Sequence, residues 1–306
     1  MSRLNVRRLV AALALGAGAI ALSACGSSPA STGAGASNTV VIASKNFTEN
    51  EILAQMFADL LSAKTNLKVT TRLDMNGTVP VFQAIKSGAV DIYPGYTGTG
   101  YVDILKEPKP APEAQMYAYV NAQYKKQFGL ELLKPLGFND TYAIAVTSAL
   151  AKKDHLTTIS SLVPYAKGLT AGIDPECQTR QDCYLGLKKA YGLDFGTVKT
   201  MDHSLVEEAM GNGIIQATDV YTTDGALLKY HLVVLKDNKD VFPAYDCIPI
   251  VRVDWAKAHP QAVSVINELA GKISDSEMEK LDYQVDVGKE SVQSVAHTWL
   301  VQHGLL

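Results

Sequence analysis

From residue 40 to the end of the chain, the apolar residues keep switching between two periods, and this alternation restricts the fold more than any other feature. Residues 40–44 form a short apolar run that predicts a buried strand. Ile52, Leu53, Met56, Phe57 and Leu60 then recur at helical spacing. Ahead of them, Thr48-Glu49-Asn50-Glu51 matches a capping box, in which Thr48 would bond the amide of Glu51 and the Glu51 side chain would reach back. A strand near 67–73, a helix near 79–86 and a strand at 90–93 follow, with Asn76-Gly77 and Ser87-Gly88 as turns. Strand–helix–strand repetition predicts a mainly parallel sheet. Further strands read at 142–147, 169–172, 198–201, 217–221 and 232–235, with helices at 183–191 and 205–211. The end reads as helices at 261–269, 274–287 and 291–302. There is no internal repeat, and so long a pattern predicts two α/β lobes rather than one.

The residues before this pattern read as an address, an anchor and a tether. Arg3, Arg7 and Arg8 precede an apolar run at 9–22, and Leu22-Ser23-Ala24-Cys25 follows. This is the layout of a secretory signal over residues 1–24. The run falls short of the ~20 residues that a membrane-spanning helix needs, and no later segment is as long. The Leu-Ser-Ala-Cys pattern resembles a bacterial lipobox, which implies a lipid on Cys25 and a protein held on the outer face of the cell membrane. Residues 25–38, rich in Ser, Gly and Ala and free of charge, read as a flexible tether. Loss of the signal would remove three arginines and no acid, taking the formal charge from −3 to −6. An acidic chain of this kind is a poor nucleic-acid binder.

Tests for chemistry return nothing. The chain has no phosphate-binding loop, no nucleophile elbow and no H-E-x-x-H. Its histidines, at 155, 203, 231, 259, 297 and 303, are scattered, and most read as surface residues. Asp224-Gly225 lacks the flanking acids of a calcium loop, and the charged stretch 236–240 reads as a solvated turn. These readings predict a protein that is not an enzyme and carries no metal and no cofactor. After export, Cys177, Cys183 and Cys247 remain. Cys177 and Cys183 are close enough to bridge a local loop, but the sequence leaves the pairing open.

Several segments are then informative together: Ser44-Lys45-Asn46-Phe47-Thr48-Glu49 after the first strand, Tyr96-Thr97-Gly98-Thr99 after the third, and Asn139-Asp140-Thr141-Tyr142-Ala143. Gln178-Thr179-Arg180, Val220-Tyr221-Thr222-Thr223-Asp224-Gly225 and Phe242-Pro243-Ala244-Tyr245 join them. From about Val40 onward the chain resembles the substrate-binding proteins of osmoprotectant ABC transporters, which take up glycine betaine, choline, carnitine and similar compounds. The resemblance implies a two-lobed periplasmic-binding-protein fold of type II, monomeric, with the ligand in the cleft and a membrane permease as partner. It implies crossing segments near 142–148 and 242–248, one lobe of residues 39–143 plus 246–306, and another of residues 144–245.

The resemblance also implies a cage of Tyr96, Tyr142, Tyr221 and Tyr245, with Asp140 adding negative potential and Lys45, Thr99 and Arg180 as donors for a carboxylate. Tyrosine suits the task. A quaternary ammonium has no N–H to donate, and an aromatic face attracts its diffuse charge by ~2 kcal/mol when desolvated. The composition agrees, with 14 tyrosines against seven phenylalanines and two tryptophans. Three positions depart from the family pattern: Cys177 and Cys183 stand where Phe and Gly are usual, and Gly95 where Glu is common. Other solutes, such as ergothioneine or an amino acid, and an exported enzyme on the same plan are the alternatives. Without a histidine in the site, ligand binding is expected to be flat between about pH 6 and 8, because tyrosine ionises near ~10.

Overall fold

A computed structural model describes residues 38–107 and 111–306. The signal, the Cys25 anchor site and almost all of the tether lie outside the described residues. In chain order the first elements are β1 (Thr39–Lys45), α1 (Thr48–Lys64), β2 (Lys68–Met75), α2 (Thr78–Lys86), β3 (Ile92–Tyr96), α3 (Glu113–Phe128) and β4 (Leu130–Leu132). Next come β5 (Tyr142–Val146), α4 (Ser148–Asp154), α5 (Ile159–Leu162), β6 (Thr170–Ile173), α6 (Pro175–Thr179), α7 (Tyr184–Tyr191), β7 (Thr197–Thr200) and α8 (His203–Gly211). They are followed by β8 (Ala217–Tyr221), α9 (Ala226–Lys229), β9 (Val233–Leu235) and β10 (Cys247–Arg252). The chain ends in α10 (Val253–Ala258), α11 (Pro260–Ile266), α12 (Asp275–Asp286) and α13 (Val292–Gln302).

Two five-stranded sheets result, in the orders β2-β1-β3-β10-β4 and β7-β6-β8-β5-β9. Each is the centre of one α/β lobe. The expected mainly parallel sheets are in fact mixed. β1 runs parallel to β2 and β3, but β10 is antiparallel to β3 and β4. Likewise β6 is parallel to β7 and β8, while β5 is antiparallel to β8 and β9. The reversed strands are the ones that enter a sheet from the other lobe. They arrive without the helical crossover that a parallel connection needs, and an apolar run in sequence carries no sign of direction.

The two passages between the sheets pair with each other. Asn139 and Asp246 form an antiparallel bridge, the Asp140 amide donates to the Tyr245 carbonyl (3.1 Å) and the Cys247 amide to the Phe138 carbonyl (3.2 Å). Both passages are therefore held by backbone bonds at the point where the lobes meet.

The core of the first lobe is built around α1. Ile52, Leu53, Met56, Phe57, Leu60 and Leu61 are all fully buried, packed between β1 and β2 on one side and α11, α12 and α13 on the other. Each such side chain contributes ~1.5–3 kcal/mol by leaving water. The capping box expected at its start does not form. Phe47 is the N-cap and makes no side-chain cap, while Thr48 is already helical and its hydroxyl donates to Asp286 Oδ1 at 2.5 Å. A distant carboxylate has taken the place of the local one. Ser274 and Glu277 form such a box at the start of α12 instead. Among the described residues, no helix is long and apolar enough to cross a membrane.

Candidate functional site

The strand ends carry the aromatic residues to one place. Tyr142 opens β5 and Tyr221 closes β8, and the antiparallel register sets them opposite each other. Their ring centroids are 5.1 Å apart. Tyr245 meets Tyr142 edge-on at 5.6 Å. Tyr96 ends β3, and it reaches the others through Phe47, which lies 6.2 Å from Tyr96 and 5.0 Å from Tyr221. The result is a continuous row: Tyr96, Phe47, Tyr221, Tyr142, Tyr245. Phe47 is the member that sequence reasoning missed, although it stands in the quoted Ser44–Glu49 segment. Gly98 lets the turn after Tyr96 approach the returning chain, because a Cβ there would lie 2.6 Å from the Ala244 carbonyl oxygen.

Two cations lie on this row. Lys45, only 5% exposed, holds its Nζ 4.7 Å from the Tyr96 centroid and 5.0 Å from that of Phe47. Arg180, 3% exposed, places its guanidinium carbon 5.4 Å from the Tyr142 centroid. Arg180 also donates to both oxygens of Asp182 and to Thr99 Oγ1 at 3.4 Å, and Glu176 and Asp103 stand 3.5 and 3.6 Å from its Nη1. Thus Arg180 is both beside the cage and ion-paired. Tyr245 donates to Asp182 Oδ2 at 2.6 Å, which ties the same carboxylate to the cage. Burial pulls the Lys45 ammonium down from its usual pKa, against the pull of Glu176. Burial pushes Glu176 up, but Lys45 and Arg180 outweigh it and hold that carboxyl below the usual range. A void of about 10 Å³ touches Lys45, Tyr96 and Thr99, space for about one water.

The loop that presents Arg180 is closed by a disulfide between Cys177 and Cys183. Cys247 is a free, buried thiol. Among the described residues, the one cluster of three metal-type ligands is Cys177, Cys183 and Asp219, and the disulfide removes both thiolates from it.

Acids line the other side of the row. The Tyr96 hydroxyl donates to Glu49 Oε1 at 2.6 Å and accepts from Asn50 at 3.1 Å. Thr223 Oγ1 lies 2.7 Å from both Glu49 Oε2 and Asp140 Oδ1. A hydroxyl has one proton to give, so the second carboxyl bonds to it only by carrying a proton of its own. Burial, with the negative charges nearby, pushes Asp140 up to about 7 and Glu49 well above its usual value. The negative potential of Asp140 is thus shared with Glu49, a residue the sequence suggested only as part of the Thr48 turn. His203 is half-buried rather than on the surface. Its Nε2 is 3.0 Å from both Asp224 oxygens, and its ring is 4.4 Å from that of Tyr221.

A two-lobed α/β protein that shuts aromatic faces and buried charges between its lobes belongs to the extracytoplasmic solute-binding proteins. The comparisons specify the family. Residues 38–302 match the substrate binding domain of ABC-type glycine betaine transport systems, and the chain belongs to that family. It is 33% identical over 270 residues, 88% of each chain, to the carnitine transport binding protein OpuCC of Listeria monocytogenes. It is 33% identical over 267 residues to the ergothioneine transport permease/ergothioneine binding protein EgtU of Helicobacter pylori (strain G27), covering 87% of this chain and 48% of that relative, about half its length. A crystal structure of a glycine betaine/carnitine/choline ABC transporter protein superposes with a TM-score of 0.71 at 33% identity, covering 87% of this chain and 99% of that one. The protein is thus a substrate-binding component of an ABC transporter, with a permease as its partner.

The buried acids set the pH dependence of stability. Glu51, Asp140 and Asp219 are pushed up to about 7 and Asp246 to about 6, in each case chiefly by burial. In the unfolded chain such groups titrate near ~4. Their protonation favours the folded state, so the contribution is complete below ~4 and is lost as pH rises through 6 and 7. Urea unfolding should therefore show a more stable protein at about pH 5.5 than at about pH 8. Higher stability at pH 8 would contradict these assignments.

Proposed function

We propose that this protein captures a small solute bearing a quaternary ammonium and a carboxylate, in the manner of glycine betaine or carnitine, and delivers it to the permease without turnover. Tyr96, Tyr142, Tyr221 and Tyr245, with Phe47, form the cage, and Lys45, Thr99 and Arg180 hold the carboxylate. The observation that carries this reading is that the cage faces already serve as cation acceptors, for Lys45 and Arg180. A trimethylammonium can take the place of the guanidinium over Tyr142. Arg180, moved aside, can then bond the ligand's carboxylate through two parallel N–H donors. The cage residues come from both lobes, so the ligand enters as the lobes part at the passages paired through Asn139 and Asp246. One lobe is assigned residues 39–143 and 246–306, the other 144–245.

The remaining features fit an exported, anchored component. We assign residues 1–24 to a signal, Cys25 to a lipid anchor on the outer face of the membrane and residues 25–38 to the tether, and the protein acts as a monomer. Ergothioneine, which also joins a trimethylammonium to a carboxylate, is a second reading favoured by the similarity to EgtU.

Calorimetric titration with glycine betaine, carnitine, choline and ergothioneine tests the assignment. Saturable binding of at least one is expected, and Tyr142→Ala should weaken it by ~1–2 kcal/mol. The expectation of pH-independent binding is revised, because Asp140 titrates at about 7 beside the cage. Cation binding should weaken as pH falls through that value and the carboxylate is neutralised. Failure of all four compounds to bind would overturn the cage.

A further inference from the structure

Beside the tyrosine row, the lobes enclose a second and much larger chamber, of about 660 Å³. Its walls come from the start of α1 and from α12 on the first lobe, and from α8, α9 and the turn after β8 on the second. Six carboxylates face it: Glu49, Asp140, Glu208, Asp224, Asp282 and Asp286. Only two lysines, Lys229 and Lys289, share the lining. Rings of Phe47, Tyr221 and Tyr230 complete the wall.

Most of these acids have partners. Glu49 and Asp140 share Thr223, Asp224 binds His203 and the Tyr221 amide, and Asp286 accepts from Thr48. Asp282 is different. It is 3% exposed, it lines the chamber, and its Oδ1 has no hydrogen-bond partner. A buried carboxylate oxygen without a donor is costly and marks a place for one. Closing the lobes also gathers like charges from both sides, and Glu49, Asp286, Asp224 and Asp140 all raise the Asp282 carboxyl beyond the effect of its burial.

We propose that this chamber, which adjoins the tyrosine cage and shares Phe47, Tyr221 and Asp140 with it, is a second cation site for a small organic ammonium with N–H donors, such as a primary amine or diamine. The chemistry selects this class. A quaternary ammonium has no N–H for Asp282 Oδ1, whereas a primary ammonium offers three. A single metal ion suits the chamber poorly. Among the described residues, no three of its side chains bring ligand atoms within 4.8 Å of one another. Aromatic walls and a volume of about 660 Å³ suit a carbon chain with charged ends. The site spans both lobes, so its occupant would offset the repulsion that closure builds up.

The probe is putrescine, titrated calorimetrically into the purified protein at neutral pH. Saturable binding is expected, and Asp282→Asn, which keeps the shape but puts an amide where a bound ammonium needs a carboxylate, should weaken it about tenfold or more. Asp286→Asn, at the chamber's more accessible rim, should also weaken it, and gives an independent reading if Asp282→Asn fails to fold. Absence of putrescine binding, or unchanged binding in the folded variants, would overturn the proposal. So would full competition by a bound trimethylammonium compound, which would place putrescine in the cage. Calcium binding that depends on Asp282 while putrescine fails to bind would overturn the organic-cation assignment. The cage can fail its own test and leave this result standing, because the two variants lie outside it.

Discussion

Lys45 and Arg180 are charged groups held almost out of water, and each rests on the face of a tyrosine. Such burial is costly unless the charge is paired and bonded. Arg180 is paired through Asp182 and Glu176, and Lys45 through the field of Glu176. Both also depend on the ring quadrupoles. Much of the interlobe architecture follows from keeping those faces turned toward positive charge. The β5/β8 register sets Tyr142 against Tyr221. The Asp182 carboxylate fixes Tyr245 and Arg180 together. Glu49 and Asn50, in the first turn of α1, fix the Tyr96 hydroxyl.

The acids behind the row work in the opposite sense. Glu49, Asp140 and Asp282 lie where the lobes meet, and burial together with neighbouring negative charge raises all three carboxyls, whereas Asp224 is paired with His203. The closeness of the lobes is visible at Gly225, where a Cβ would lie 2.4 Å from the Tyr283 amide nitrogen. Side chains of any size are excluded there, so the glycine of the Val220–Gly225 segment is a condition of this closed arrangement. Closure therefore balances two fields. One is cation-accepting at the rings, and the other is carboxylate-rich beside them.

Much of this was legible in sequence. The helical spacing of Ile52 to Leu60 and the strands that end at Tyr221 and begin at Tyr142 could be read directly, with ends shifted by a few residues. The four tyrosines lie along one row, with Tyr96 joined through Phe47, although the sequence separates Tyr96 from Tyr245 by much of the two lobes. What could not be read depends on contacts between distant segments. The reversed directions of β5 and β10 follow from which lobe each strand arrives from. The Thr48 side chain bonds Asp286, which lies 238 residues further on, and so a sound local capping motif goes unused. Phe47, Glu49 and His203 acquire their roles only where the lobes meet.

The central claim is that positive charge, and not shape alone, fills the tyrosine row. Glycine betaine and its carbon isostere 3,3-dimethylbutanoate share shape and carboxylate and differ in the quaternary charge. Calorimetry on both tests the claim most directly. The account predicts that glycine betaine binds at least about tenfold more tightly, as a desolvated cation–aromatic contact requires. Equal affinity for the two would contradict it.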